Sequence, residues 1–443
     1  MDSHYDKHIK SRSPFSFIFI FIFPMVFGRL DATAASSAVI QTSKLKLATF
    51  DIDVTPSVGY NLAYDEMIQT WDMGLRAKGI VLLGAGQPIV LVAIDWLGID
   101  DRCYDEFKRA LASAAGTVPE RVAVHTLHQH DAPHGHIPDD FTFAVIHRLG
   151  MALASSLKSA RPVTHIGFGE AEVYKVASNR RIPDMKSDTV RATRFTTCRD
   201  SSLRVEPEGI IDPMVSVISF WDEREPIAVL SFYATHPQSY YRTGIPNPDF
   251  PGIARFLRQL AVPEALHIHF AGAGGNIGAG KYNDGAKENR WILAERLADG
   301  MKRAWKATKL QPISANFVNW GVKPVVLPAD TTKSNAYVER YKMEKAKIDI
   351  QCLSLNEARI LFMPGELFVE YQLAAKKMKP ELFVTMAAYG DYTPGYIPTA
   401  SAFLQKGYEV RVSTVTPEAE GILMKAMHEL LNTESQSVNG QKN

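Results

Sequence analysis

Cysteine is scarce in this chain of 443 residues, which carries only Cys103, Cys198 and Cys352. An odd and widely spaced set builds neither a disulfide framework nor a thiolate zinc cluster, and it allows one bridge at most. We therefore expect any bound metal ion to be held by nitrogen and oxygen atoms.

An excess of charge of either sign is also absent. The 49 Lys and Arg residues nearly balance the 48 Asp and Glu residues, so no electrostatic signal indicates a phosphate backbone or an anionic membrane as partner. We expect no nucleic-acid partner. Because 46% of the residues are hydrophobic and 22% are charged, the chain can bury a large core, and a globular α/β protein is the expectation.

Long apolar runs are missing after the first forty residues, so no stable membrane span is expected in the mature chain. Near the start, three basic residues precede the apolar run 15–27, and small residues follow at 32–35. This order predicts a signal peptide over 1–34 and export to the periplasm or the extracellular space. An uncleaved anchor is the alternative, although the run is short and Pro24 interrupts it.

Several catalytic motifs are absent too. No Gly-x-Ser-x-Gly sequence occurs, and Gly275-x-x-x-x-Gly280-Lys281 only approaches a phosphate-binding loop, because Tyr282 stands where Ser or Thr must bind magnesium. We therefore expect no nucleotide partner. No internal repeat and no long linker is found, which predicts one domain over 35–432 and a flexible polar tail over 433–443.

Short β-rich runs alternate with helical patterns along the mature chain. This alternation predicts an α/β fold, a layered domain with a mixed β-sheet, flanking helices and a metal site at the strand ends. The segment 170–222 is irregular and polar and is expected to form loops or an insertion. Strands are predicted at 89–94, 122–127, 227–233, 266–270, 359–363 and 382–388, and helices at 104–115, 141–159, 286–308, 368–378 and 416–432.

The strongest chemical signal is a run of histidines after one predicted strand. Five of the thirteen histidines fall within residues 125–136. In an extended segment His128 and His130 point to the same side, where both can approach one metal ion, or one can bind it while the other transfers protons. A solvated histidine-rich loop is the alternative reading. The roles of His125, His134 and His136 stay open.

Three weaker signals lie further along the chain, and each is modest alone. A predicted strand runs into Thr235-His236-Pro237, another stops at Met363-Pro364-Gly365-Glu366, and a turn-rich segment from Gly390 contains Tyr396, with Tyr408 twelve residues later.

Together these four segments resemble the N-terminal catalytic domain of the neutral/alkaline (non-lysosomal) ceramidases, which carry His-x-His-x-x-Pro, Ala-Thr-His, Pro-Gly-Glu and Gly-Tyr-x-x-Thr segments in this order. The resemblance covers residues 46–427 and includes Asn179-Arg180. It implies that one Zn²⁺ per chain is bound by His128, His236, Glu366 and Tyr396. It further implies catalytic roles for three residues: proton transfer by His130, orientation of a polar substrate group by Arg180, and oxyanion stabilisation by Tyr408.

One departure from the family concerns the nucleophile. Where the ceramidases use the serine of Gly-Asp-Val-Ser-Pro-Asn, this chain has Gly278, so the loop cannot form an acyl-enzyme. Backbone N–H groups of the loop Gly275, Asn276 and Gly278 suit oxyanion binding, and a tight structural turn is the alternative.

The resulting hypothesis is an exported zinc-dependent hydrolase, a ceramidase-like amidohydrolase. It would cleave an amide (N-acyl) or related bond in a small-molecule or lipid-derived substrate, with metal-bound hydroxide as the nucleophile. A non-catalytic zinc-binding or ligand-binding protein is the alternative. Retention of His130, Arg180 and Tyr408 favours the hydrolase, because a purely structural zinc site has no need of them.

Overall fold

The computed structural model describes residues 44–70, 73–184 and 186–433. The predicted signal peptide and residues 434–443 of the predicted tail lie outside these ranges. The strands are β1 Lys46–Asp53, β2 Arg76–Gly84, β3 Gly86–Ile94, β4 Gly98–Ile99, β5 Val122–Thr126, β6 His134–Gly135, β7 Arg161–Pro162, β8 His165–Glu172, β9 Ser178–Asn179, β10 Arg181–Pro183, β11 Val190–Thr193, β12 Met214–Asp222, β13 Glu225–Tyr233, β14 Leu266–Ala271, β15 Ile277–Gly278, β16 Lys309–Pro312, β17 Val318–Val325, β18 Ile348–Leu355, β19 Ala358–Phe362, β20 Glu366–Leu367, β21 Phe383–Ala387 and β22 Tyr396–Ile397. The helices are α1 Asp101–Ala115, α2 Asp140–Ser156, α3 Ser201–Arg204, α4 Asp249–Ala261, α5 Asn289–Lys306, α6 Ala336–Glu344, α7 Val369–Met378, α8 Ala400–Gln405, α9 Tyr408–Val412 and α10 Ala419–Leu431.

Three larger sheets share one pattern of connection. Their strand orders are β5-β3-β2-β1-β7, β14-β13-β12-β8-β16 and β17-β18-β19-β21. Each sheet has one parallel pair at an edge, β3 with β5, β13 with β14 and β19 with β21, whereas its other pairs are antiparallel. One helix connects the strands of each parallel pair: α1, α4 or α7. The sequence has no internal repeat, yet the topology uses the same strand–helix–strand unit three times.

The sheets pack in layers around a common core. One face of each sheet contributes to a shared apolar cluster, which contains Leu91 of the first sheet, Leu230 of the second and Ile360 of the third. Helices cover the opposite faces, α1 and α2 on the first sheet, α4 and α5 on the second, and α7 and α10 on the third. Side chains alternate between these environments, so Leu361 packs against the helices while its neighbour Ile360 faces the shared core.

The loops that follow the parallel strands carry most of the predicted site. His128 follows the end of β5, His236 follows β13, and Glu366 follows β19. Contacts between β14 and both β3 and β5, and between β13 and β21, bring these edges together. The fold therefore gathers the carboxyl ends of three separate strand pairs at one place.

The mixed α/β layered fold and all six predicted strands and five predicted helices are confirmed, and the structure adds further elements that were not predicted, of which two matter here. Segment 170–222 was expected to be irregular, yet it ends in β12, a central strand of the second sheet. Ser216 and Ser219 of β12 are buried, and their hydroxyls donate to Glu170 and to the Gly167 carbonyl. Helix α4 is the second difference, since no helix was predicted there.

Cys103, Cys198 and Cys352 are all buried and unpaired. Within the described ranges, no helix is both long and apolar enough to cross a lipid bilayer.

Candidate metal centre

His128 adopts a backbone conformation that is unusual for a residue with a side chain. Its φ is 65°, in the left-handed region, so residues 128–130 do not form the extended segment that the sequence suggested. The predicted meeting of His128 and His130 occurs nonetheless, because the turn brings their ring centroids to 4.8 Å. The Nδ1 atom of His128 bonds to the Leu97 carbonyl at 2.8 Å, which directs Nε2 inward.

His236 is held in the same way from the second sheet. Its Nδ1 lies 2.7 Å from the Gly274 carbonyl in the loop after β14. Because each Nδ1–H donates to a carbonyl, each Nε2 keeps a free lone pair, and the two Nε2 atoms lie 3.3 Å apart. Two imidazoles with facing lone pairs are a typical metal-binding arrangement.

Glu366 completes a triangle of ligand atoms. Its Oε2 lies 3.4 Å from His128 Nε2 and 3.1 Å from His236 Nε2, and it has no hydrogen-bond partner. A tetrahedral ion bound at about 2.0–2.1 Å separates its ligand atoms by roughly 3.3 Å. The three atoms therefore fit the corners of a zinc-sized coordination shell.

The other carboxylate oxygen of Glu366 accepts a hydrogen bond of 2.7 Å from Tyr392 Oη. Sequence reasoning missed this contact, although Tyr392 lies in the segment that carries Tyr396. The ring of Tyr389, missed as well, stacks on His128 at 4.6 Å. Both tyrosines orient predicted ligands, and no residue spacing in the sequence indicates such contacts.

Tyr396 approaches the triangle from the side. It pairs with Glu366 in the two-residue parallel ladder of β20 and β22, and its Oη lies 3.5 Å from His236 Nε2. Arg180 donates to the same Oη at 3.1 Å. The Tyr396 hydroxyl thus lies beside the triangle and further from His236 Nε2 than Glu366 Oε2 does.

Arg180 is buried, and its Nη2 also contacts the Gly275 carbonyl and Glu409, whereas its Nε has no partner. Burial opposes its charge, but Tyr396 and Glu409 outweigh burial, so the pKa of Arg180 is raised. Its guanidinium is therefore held beside the Tyr396 hydroxyl.

His130 lies within reach of the triangle without belonging to it. The ligand atoms of His128, His130 and His236 fall within 4.8 Å of one another. Its Nδ1 lies 3.1 Å from the His128 carbonyl, and its ring stacks on Tyr64 at 5.4 Å. The arrangement leaves Nε2 as the free nitrogen.

Burial and the neighbouring side chains together set the protonation of the centre. Burial and then the nearby His128 and His236 charges lower the pKa of His130 well below its usual range, and burial with Arg180 lowers the pKa of His236 to about 4. Burial alone would raise the pKa of Glu366, but His128 and His236 outweigh it, so this pKa lies well below its ordinary value. A carboxylate that stays ionised between two imidazole nitrogens suits a divalent cation.

Tyr408 is half-buried at the edge of the centre. Its ring contacts Tyr396 edge-on at 5.9 Å and Phe195 at 5.3 Å. Burial raises the pKa of its hydroxyl, so the hydroxyl stays protonated at neutral pH and can donate a hydrogen bond.

Solved structures that share the fold include two ceramidases. One is a ceramidase complexed with C2 (TM-score 0.69, 14% identity), and the other is a neutral ceramidase from Pseudomonas aeruginosa (TM-score 0.68, 15% identity). Each match covers 88% of this chain, and it covers 75% and 74% of the respective ceramidases. No protein-family model and no curated protein matches the chain. The fold is ceramidase-like. At this level of identity the likeness concerns the fold alone.

Within this ceramidase-like fold, the predicted oxyanion loop is tied to its neighbours. The Gly275 N–H donates to the Leu367 carbonyl at 2.7 Å, and the Asn276 side chain bonds Val369 N and Glu370. The Gly275 N–H and the Asn276 side chain are thus engaged in this conformation, and the role of the loop in oxyanion binding stays a prediction. A Cβ on Gly275 would lie 2.3 Å from the Glu366 carbonyl, which explains why glycine is needed there.

Gly278 has its own steric restriction. A Cβ there would lie 2.5 Å from the methyl group of Thr196, whose hydroxyl bonds Gln238. The Gly278 carbonyl accepts a hydrogen bond of 2.9 Å from Ser178 Oγ. The threonine methyl thus fills the space that a side chain at 278 would take.

The remaining histidines of the run have separate surroundings. His125 is buried between Phe270 and Phe362 with Nδ1 2.7 Å from the Ala388 carbonyl, and burial lowers its pKa to about 4. It is a packed core residue. His134 and His136 instead face Asp100.

Lys281 belongs to the segment that approaches a phosphate-binding loop in sequence. Its ammonium group donates to the backbone carbonyls of residues 204–206, and the next helix, α5, begins only eight residues later, at Asn289.

Proposed function

We propose that the protein is a zinc-dependent hydrolase that cleaves an amide (N-acyl) or related bond. The single observation that carries this proposal is the triangle of His128 Nε2, His236 Nε2 and Glu366 Oε2, with edges of 3.1–3.4 Å and a buried carboxylate oxygen that accepts no hydrogen bond. A buried anionic oxygen without a hydrogen bond is costly unless a cation balances it. The ceramidase-like fold supports hydrolysis as the reaction class.

The donor set fits zinc. Two imidazoles and one carboxylate are ligands that Zn²⁺ accepts, and catalytic sites of this kind keep a position open. When bound, zinc lowers the pKa of a coordinated water and so supplies a nucleophile near neutral pH. In our proposal Tyr396 is a fourth, weaker ligand, and Arg180 positions its hydroxyl.

The neighbouring residues have distinct tasks in this proposal. His130, neutral and with Nε2 free, accepts a proton from the attacking water and returns it to the leaving amine. Tyr408 donates a hydrogen bond to the oxyanion of the tetrahedral intermediate. Arg180 uses its unpartnered Nε to orient a polar group of the substrate.

Water rather than a side chain is the proposed nucleophile. We place Gly278 where neutral ceramidases have their serine, and the Thr196 methyl leaves no room there for a hydroxyl-bearing side chain. A covalent acyl-enzyme at this position is therefore not part of the mechanism.

The remaining assignments complete the proposal. Residues 1–34 are a signal peptide, 35–432 are the catalytic domain, and the mature protein acts in the periplasm or outside the cell. The substrate is a small-molecule or lipid-derived N-acyl compound, as the likeness to a ceramidase suggests.

The test combines metal analysis with an activity assay on the purified mature chain. We expect zinc that co-purifies with the protein and hydrolysis of members of an N-acyl substrate panel that stops after chelation and returns with added Zn²⁺. His236→Ala is expected to lose both the zinc of this centre and the activity. The exposed His147→Ala is the matched control and is expected to keep both.

Retention of that zinc in His236→Ala would refute the ligand assignment. Zinc at the centre without turnover of any N-acyl compound would instead favour the alternative, a zinc-binding or ligand-binding protein.

A further inference from the structure

We propose a second metal site, formed by Asp100, His134 and His136, that binds a divalent transition-metal ion such as Zn²⁺ or Co²⁺. His134 Nε2 lies 3.1 Å from Asp100 Oδ1, and His136 Nδ1 lies 2.8 Å from Asp100 Oδ2. The ligand atoms of all three residues fall within 4.8 Å of one another. These residues take no part in the proposed hydrolase centre.

Backbone pairing holds the three residues together. The short parallel strands β4 and β6 pair Gly98 with His134 and Ile99 with Gly135, and Asp100 N donates to the Gly135 carbonyl at 2.9 Å. Asp100 therefore lies directly beside the His134-Gly-His136 segment. Main-chain hydrogen bonds therefore hold the Asp100 carboxylate close to the two imidazoles, so their closeness does not depend on side-chain conformation alone.

The side chain of Asp100 does not cap helix α1, although its position is one where aspartate commonly does so. It precedes α1 as the N-cap residue, where an aspartate commonly accepts a hydrogen bond from the first turn of the helix. Here the side chain makes no capping bond, and each of its oxygens faces one imidazole nitrogen. The carboxylate is thus committed to the two histidines.

The surroundings favour a cation. Asp100 is buried, and within the described ranges no Lys or Arg forms an ion pair with it. The nearest acids of α1, Asp101 and Asp105, already share Arg340. A metal ion bound to the three residues would neutralise the Asp100 charge.

The donor set determines the class of ion. Two nitrogens and one carboxylate suit zinc and its neighbours in the first transition row, whereas calcium and magnesium require mostly oxygen ligands. The side chains of His134 and His136 are 29% and 54% exposed, so an ion can enter from solvent and keep water in its remaining positions. We expect it to bind more weakly than an ion at the buried centre of His128, His236 and Glu366.

Tyr392 contacts residues of both sites. Its ring centroid lies 5.4 Å from that of His128 and 5.5 Å from that of His134, and its hydroxyl donates to Glu366. The two proposed ions would therefore share this one tyrosine as a neighbour.

The experiment is a titration of the chelator-treated full chain with Co²⁺, followed by absorption spectroscopy and metal counting after gel filtration. The wild type is expected to bind two ions, and Asp100→Asn and His134→Ala/His136→Ala to bind one. Asp100→Asn nearly preserves the side-chain shape, and circular dichroism checks that each variant is folded. His147→Ala, an exposed histidine outside both clusters, is the control and is expected to bind two.

Failure of this site is distinguishable from failure of the proposed hydrolase. His128→Ala/His236→Ala is expected to keep the weaker ion only, which supports the second site whether or not any substrate is turned over. A single ion in the wild type that His128→Ala/His236→Ala removes would overturn the proposal. So would a second ion that survives in folded Asp100→Asn.

Discussion

At the scale of single residues, the arrangement depends on how each imidazole is turned. The carbonyls of Leu97 and Gly274 fix Nδ1 of His128 and His236, so both Nε2 atoms point at Glu366 Oε2. Without a cation, three electron-rich atoms face one another in a buried space, which is unfavourable. The close approach of these three atoms lowers the stability of the folded protein when no cation is bound. The same three atoms are positioned to bind a metal ion, which would remove that cost.

Gly278 allows a stability prediction at this scale. We expect Gly278→Ser to lower the free energy of unfolding by about 1–3 kcal/mol, because its Cβ would overlap the Thr196 methyl. The double variant Gly278→Ser/Thr196→Ala should be more stable than Gly278→Ser alone, since it removes that methyl. Urea denaturation followed by circular dichroism measures both.

Metal content should be unchanged in both variants, because neither residue contacts the triangle atoms. A Gly278→Ser protein as stable as the wild type would show that the Thr196 side chain moves aside at no cost.

At the scale of elements, the pairing of β20 with β22 deserves a direct test. Gly365 has φ 52°, and a Cβ on it would lie 2.5 Å from the Gly395 carbonyl, next to the ladder that sets Glu366 beside Tyr396. We expect Gly365→Ala to weaken zinc binding by at least roughly tenfold, since changes around metal ligands typically cost 10–100-fold. Competition with a chromogenic chelator measures this affinity.

Gly86→Ala is the matched control. Gly86 also has a positive φ, of 76°, but nothing lies within 4 Å of the added Cβ. It should lose about 1–2 kcal/mol of stability from backbone strain alone and keep its zinc affinity. Equal zinc affinity in Gly365→Ala and Gly86→Ala would contradict the role of the ladder.

The strands that could be predicted from the sequence are those buried on both faces of a sheet. All six predicted strands belong to the three parallel pairs, which are covered on both faces and therefore read as continuous apolar runs. Antiparallel partners such as β12 carry serines whose buried hydroxyls are satisfied by neighbours, and this cannot be read from one segment. Helix α4 was missed because Pro251 and Gly252 interrupt its first turn.

The site was predictable to a different extent. Histidine density marked the segment of His128 and His130, but the assignment of His236 and Glu366 rested on a family resemblance, because they lie more than a hundred residues away. The reason given for the meeting of His128 with His130 was wrong, since a left-handed turn and not an extended strand brings them together. The contacts of Tyr392 and Asp100 depend on tertiary structure and left no local signal.

At the scale of the whole molecule, buried neutral histidines predict acid sensitivity. Burial lowers the pKa of both His267 and His269 on β14 to about 3. Below pH of about 6.5 the unfolded chain takes up these protons and the folded chain does not, so stability falls by about 1.4 kcal/mol per pH unit for each histidine until pH nears 3. Above pH 6.5 or so, neither histidine contributes to the pH dependence.

The measurement is the slope of unfolding free energy against pH, between about pH 6.5 and 5, on chelator-treated protein so that metal release does not contribute. His269→Gln should have a shallower slope than the wild type, and the exposed His147→Gln should match the wild type. Equal slopes in all three proteins would contradict neutral burial of His269.

The origin of the triangle in three different sheets has a consequence for the order of maturation. His128, His236 and Glu366 each follow a strand of another sheet, so the pocket does not exist until all three sheets have docked. The ion would thus be captured by a finished tertiary structure, in contrast to small zinc domains whose folding the metal drives. If the chain is exported as proposed and folds after translocation, it would load its zinc outside the cytoplasm, and the proposed activity would depend on the zinc available there.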